Sequence, residues 1–170
     1  MPVPLPNSYS ASLSRTAASR ARMEAPTRPV VHGAPSPERD GDLAARSPQH
    51  MLLSSLSLCM LTTFETFAAR DGIEIHAWDA KVSGTVEHTP EGLCFTSIVL
   101  ELDIEVAGNV DRVEATLEDA KQHCLVLNSL RVPVVIETQV RTPGGKRFEC
   151  YDLPAQLTPQ LRLVDHRHAS

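Results

Sequence analysis

The segment from Ser47 to Ala69 most limits the folds open to this chain. Ser47-Pro48 opens it with an N-cap residue and then the residue that fits the first helical position, where its missing N–H costs nothing. Beyond Pro48 the segment holds neither glycine nor proline. A helix of about 22 residues and ~33 Å is therefore expected, ended by Arg70-Asp71-Gly72 with Gly72 in a left-handed C-terminal position. Leu52, Leu53, Leu56, Leu58, Met60, Leu61, Phe64 and Phe67 put apolar groups on more than one face, as in a central helix surrounded by protein. The uncharged apolar run inside it, Met51 to Phe64, has 14 residues including three serines. That is short of the ~20 needed to span a bilayer, so no membrane partner is expected.

At 170 residues and 42% hydrophobic, the chain can bury one sizeable core. The expectation is a single domain over 1–170, with its core at about 8–141, a Pro-rich arm at 1–7 and a C-terminal extension at 142–170. A formal charge of −5 gives no driving force toward nucleic acid. The opening MPVPLPNSYSAS lacks the pattern of a secretory signal, which points to the cytoplasm. Cys59, Cys94, Cys124 and Cys150 stand singly, without zinc-site spacing, so no bound metal or cofactor is expected. In a reducing compartment such cysteines are buried thiols or redox groups.

Period-two patterning follows the helix. Ile73 to Glu87 and Cys94 to Val106 read as strands joined by a turn at Thr89-Pro90-Glu91-Gly92. Residues 65–119 carry 13 acidic and three basic side chains, so the hairpin's outer face is acidic and solvated. His76 and Trp78 fall on one strand face, suited to packing. Asn109 or Asp111 caps a second helix that closes at Asn128 to Arg131, with Val113, Leu117, Ala120 and Cys124 on one face. Pro133 to Val140 is a last core strand, and Phe148 to Asp152 a short hairpin partner. Ahead of the long helix, Ser8 to Ser14, Arg20 to Glu24 and Arg28 to His32 are strand candidates.

Two cysteines thus lie on the core faces of two helices, Cys59 in the stripe of Leu52, Leu56 and Phe67. Such cysteines are commonly inert small hydrophobes. The wording around them points elsewhere. SPQHMLLSSLSLCMLTTFETFAARDGIEI, followed by EDAKQHCLVLNSLRVPVVIETQV, closely resembles the OsmC/Ohr family of thiol-dependent hydroperoxide reductases over roughly Ser47 to Val140. The resemblance implies an α+β fold in which curved antiparallel sheets wrap two long central helices of an intertwined homodimer. It also implies that Cys59 is the peroxidatic cysteine and Cys124 the resolving one. An organic hydroperoxide would be the substrate and a lipoyl dithiol on a lipoylated protein the external reductant.

The chain departs from the family pattern at two positions. Gln49 stands where a glutamate usually follows the helix-opening proline. The loop arginine near the thiolate would be Arg39 in PERDGD, although a second alignment puts Glu38 there, and Arg46 is the fallback. Ten residues separate Gln49 from Cys59, ~15 Å of rise in a continuous helix. A Gln49 that serves the sulfur must then come from the other subunit, which implies a composite site. Leu127, where relatives commonly carry a small polar residue, favours organic over inorganic peroxides.

In the chemistry so implied, Cys59 becomes a sulfenic acid and condenses with Cys124 to a disulfide, which an external dithiol reopens. The alternative is a non-catalytic dimer that binds a small hydrophobic ligand at the subunit interface. A third option, an acidic interaction module, rests on the hairpin face alone. Cys94, Cys150, His123 and the closing Asp165-His166-Arg167-His168 receive structural or incidental readings.

Overall fold

The computed structural model describes residues 5–17, 20–145, 147–151 and 162–163. The chain forms two compact units divided after Leu52.

In the first unit, β1 (Ser12–Ala17), β2 (Arg20–Glu24) and β3 (Val31–Gly33) make an antiparallel sheet in chain order. β2 has the expected bounds. β1 starts at Ser12 rather than Ser8 because Ser12 pairs with Glu24, the last residue of β2, and the chain before it has no strand to join. β3 starts at Val31 rather than Arg28 because 25–28 form a turn, closed by the Arg28 N–H on the Ala25 carbonyl at 3.2 Å with Thr27 at φ 60°. Pro29, which has no N–H to give a ladder, follows directly.

The long helix α1 (Pro48–Asp71) begins where the sequence places it. Ser47 is buried, and its Oγ accepts the His50 N–H at 3.3 Å as an N-cap does. Gly72 at φ 71° ends it in the left-handed conformation. Its buried residues are Leu56, Met60, Phe64 and Ala68, a single stripe of i, i+4 spacing, while Leu58 is 61% exposed. One apolar face is therefore covered within the chain and another is left open. The uncharged apolar run ends before Glu65, but the helix continues to 24 residues and, by length and composition alone, is long and apolar enough to cross a membrane, contrary to the expectation from the run.

The second unit holds a sheet of order β4-β5-β6-β7-β8: β4 (Ile73–Thr89), β5 (Gly92–Gly108), β6 (Val134–Arg141), β7 (Arg147–Tyr151) and β8 (Arg162–Leu163). β4 and β5 are the expected long hairpin. The expectation of wholly antiparallel sheets fails at β5 and β6, which pair in parallel from Ile98–Val134 to Glu105–Arg141. The cause is the connection between them, α2 (Val113–His123) and α3 (Leu125–Ser129), which carries the chain back to re-enter the sheet in the same direction.

Ile98, Leu100, Leu102, Ile104 and Val106 of β5 alternate as buried residues, and the last four meet Met60, Phe64 and Ala68 of α1, Leu117 and Ala120 of α2, and Ile136 and Val140 of β6. In β4 an irregularity between Ile75 and Ala77 inserts His76 as an extra residue. Ile73 and Ile75 face the core before it, Trp78 and Val82 after it. His76 and Trp78 consequently do not share a face: His76 is exposed, whereas the Trp78 ring packs on Phe64 at 5.3 Å.

Candidate functional site

Cys59 and Cys124 come together in the second unit. Cys59 lies beside the buried stripe of α1 rather than within it, because residue 60 takes the centre, and this leaves its side chain half-buried. Cys124 is wholly buried. Both are free thiols; Cys59 packs against the core cluster that contains Cys124, near enough to add to the upward shift of its thiol.

The expected single helix over 109–131 is broken at this cysteine. Cys124 has extended backbone angles (φ −71°, ψ 105°) and separates α2 from α3. Leu125, Val126 and Leu127 form helix as readily as the residues before them, so periodicity gives no sign of the break. Burial pushes the Cys124 thiol up to about 11, opposed by the backbone N–H groups of Leu127 and Val126 and reinforced by Cys59. The pair thus joins a half-buried sulfur to a wholly buried one that is held protonated at neutral pH.

Arg39 and Gln49 lie in the first unit. Arg39 ends a 3-10 turn at Pro37–Arg39, and both residues line a cavity of about 620 Å³ whose other walls include Leu13, Met23, Ala34 and Met51. A Cβ on Gly41 would lie 1.7 Å from the Pro35 carbonyl oxygen, so the loop that presents Arg39 closes only around glycine. The Gln49 Oε1 is buried with no hydrogen-bond partner. Glu38, the other alignment's candidate, turns back on its own loop: its backbone N–H and the Ser36 hydroxyl hold its carboxyl below its usual value. The fallback Arg46 is exposed and bridged to β3 through its backbone, with the Ala34 N–H on its carbonyl at 3.2 Å.

The family profile described as OsmC-like protein matches residues 39–139, more than half of the chain and spanning all four of these positions. This chain belongs to the OsmC-like family. Its fold is similar to that of an OsmC-like protein of unknown function from Vibrio cholerae (TM-score 0.71, 18% identity, covering 78% of this chain and 99% of that one). It is also similar to an OsmC-like protein from Mycoplasma pneumoniae (0.68, 18%, 81% and 99%). A third similar structure is an organic hydroperoxide resistance protein from Legionella pneumophila (0.61, 18%, 79% and 96%). No curated protein matches the sequence.

Other side chains singled out by the sequence lie apart from the thiols of this OsmC-like chain. Cys94 is exposed on β5, its sulfur 3.7 Å from Thr89 Oγ. His123 turns away from Cys124: its Nδ1 is 2.8 Å from the Asp119 carbonyl and its ring 5.0 Å from Phe67. The acidic hairpin face is partly neutralised by Lys81 on Glu101 (3.2 Å) and Arg141 on Asp103 (2.7 Å). The side chain of Cys150, and Asp165 to His168, lie outside the described residues.

The thiol asymmetry predicts a pH response. Iodoacetamide at pH 8 is expected to label Cys59 and Cys94 well before Cys124, whose labelling should rise about ten-fold per pH unit toward its raised value. Equal labelling of all three at pH 8 in the folded protein would contradict the burial of Cys124. Because the folded protein favours the protonated thiol, this group's contribution to stability is complete below its unfolded value of 9.0 and is lost as pH rises through about 11.

Proposed function

We propose that the chain is a thiol-dependent hydroperoxide reductase acting on organic hydroperoxides. The observation that carries this reading is the meeting of an accessible Cys59 and a buried, protonated Cys124 in a member of the OsmC-like family. The ionised Cys59 sulfur attacks the peroxide O–O bond, takes one oxygen as a sulfenic acid and releases an alcohol after protonation. The Cys124 thiol then attacks the Cys59 sulfur, forming the disulfide and releasing water. An external dithiol, with a lipoyl group as the candidate, reopens the bridge by exchange. Leu127, half-buried against the core cluster that includes Cys124, adds hydrocarbon on that side and favours organic peroxides. The resistance protein from Legionella pneumophila supports the substrate class through the shared fold.

The functional unit in this proposal is a homodimer. The α1 face that carries Leu58 is left open by the chain's own sheet, and a second copy would cover it. Arg39 and Gln49 of one subunit would then serve Cys59 of the other, with the unpartnered Gln49 carbonyl accepting from a guanidinium. A neutral amide holds an arginine less firmly than a carboxylate does.

The 620 Å³ cavity favours a second reading, a non-catalytic dimer that binds a small apolar ligand while its thiols stay reduced. Thiol titration and peptide mass mapping after one equivalent of cumene hydroperoxide separate the two. Loss of two thiols per chain and a Cys59–Cys124 linkage is the expected result, with hydrogen peroxide reacting more slowly. Full retention of thiols would leave the binding reading.

A further inference from the structure

The end of α1 is fastened to the start of α2 by a nearly buried carboxylate. The Asp71 side chain is 7% exposed. Its Oδ2 accepts from Thr116 Oγ at 2.7 Å and from Arg70 Nη2 at 2.7 Å, its Oδ1 accepts from Arg70 Nε at 2.7 Å, and Arg112 Nη2 lies 3.6 Å away. Thr116 is wholly buried, with the Arg112 carbonyl oxygen 2.8 Å from its hydroxyl. The same Arg70 Nη2 donates to Asp119 at 2.6 Å, and its guanidinium stacks 4.9 Å from the Phe67 ring centre. Arg70 and Thr116 hold the Asp71 carboxyl well below the usual carboxylate range, so it is charged wherever the enzyme works.

These contacts progress in antiparallel order along the two helices. Asp71 meets Thr116, Arg70 meets Asp119, Phe67 meets His123, and Cys59 meets Cys124. The two sulfurs lie at the far end of a seam whose near end is the Asp71–Thr116 pair. Twelve residues of α1 and eight of α2 separate that pair from the sulfurs, which is about 18 Å and ~12 Å of helix. Over such lengths a small change in the angle between the helices becomes a displacement of order 1 Å at the tip. Cys124 is especially exposed to it, because α2 ends there and the chain bends.

We infer that Asp71 and Thr116 are positioning residues that hold Cys124 opposite Cys59 and so decide the fate of the sulfenic acid. The inference rests on the reading of these cysteines as a peroxide-reducing pair. Two reactions compete for Cys59–SOH. Attack by the Cys124 thiol forms the S–S bond and releases water; a second hydroperoxide adds another oxygen, giving the sulfinic acid and an alcohol. The first depends on where Cys124 stands, and the second does not.

Thr116→Val keeps shape and burial but removes the hydroxyl, whereas Thr116→Ser retains it. The reduced proteins are treated with excess cumene hydroperoxide, and disulfide and Cys59 sulfinic acid are quantified by mass spectrometry, with folding checked by circular dichroism. Thr116→Val is expected to raise the ratio of sulfinic acid to disulfide about ten-fold or more, toward the ~10²-fold that a 1 Å misplacement can cost a reaction between positioned groups. Dimedone trapping should show the first oxidation of Cys59 unchanged, and Thr116→Ser should restore the parent ratio. Should Thr116→Val not fold, Asp119→Asn, which removes the second partner of Arg70 at the surface, is expected to move the ratio in the same direction. A parent-like ratio in the folded variant overturns the positioning role and leaves the peroxidase reading standing. A parent protein whose Cys59 takes up no oxygen overturns both.

Discussion

Replacing Cys59 with serine is expected to lower hydroperoxide consumption by ~10³-fold or more, because a serine hydroxyl at neutral pH supplies almost none of the anionic, polarisable nucleophile that a thiolate offers. The change removes little packing: Cys59 is only half-buried and lies at the edge of the α1 stripe. A parent-like denaturation midpoint should therefore accompany the loss. Cys124→Ser should behave differently. Its first turnover proceeds, since the attacking sulfur is intact, and the protein then stalls as sulfenic and finally sulfinic acid at Cys59. Stopped-flow measurement of peroxide loss under single and multiple turnover checks both outcomes. Continued turnover by Cys59→Ser would remove the peroxidatic assignment.

The largest loss of stability should follow Phe64→Ala. Phe64 is wholly buried at the centre of the α1 stripe, between the β5 residues and the Trp78 ring at 5.3 Å. Truncation of such a phenylalanine typically costs about 3–5 kcal/mol, a large share of the total stability of a small domain. Urea denaturation followed by the fluorescence of Trp78, the sole tryptophan, measures it directly. A midpoint unchanged at the same slope would mean that this ring does not hold α1 to the sheet.

How much of this was legible beforehand differs from element to element. Ser47 and Gly72 announced the two ends of α1 because capping is local chemistry, decided by a side-chain oxygen at one end and by the absence of a Cβ at the other. The apolar residues of β5 announced their own inward face for the same reason: a strand's two faces alternate whatever its neighbours are. The faces of β4 beyond Ile75 are not legible in the sequence, because a bulge depends on the pairing with β5 and leaves no mark in composition. Nor is the direction of β6 relative to β5, since it depends on the path taken by the intervening helices.

The candidate site divides along the same line. The motifs around Cys59 and Cys124 pointed to a thiol pair through family resemblance, and the helix faces showed that both sulfurs approach the core. The Asp71–Thr116 fastening went unread, because an aspartate at a helix end and a threonine within a helix are each ordinary, and their meaning comes from being 2.7 Å apart.

The sequence by itself determined where α1 starts and stops, which face of β5 turns inward, and that Cys59 rides on α1, since each follows from contacts within a few residues. Only the tertiary structure decided that Cys124 ends α2 in an extended conformation, that it is the buried member of the pair, and that it stands opposite Cys59. Those properties arise between segments some 65 residues apart, where burial and packing, rather than local propensity, set both backbone and proton.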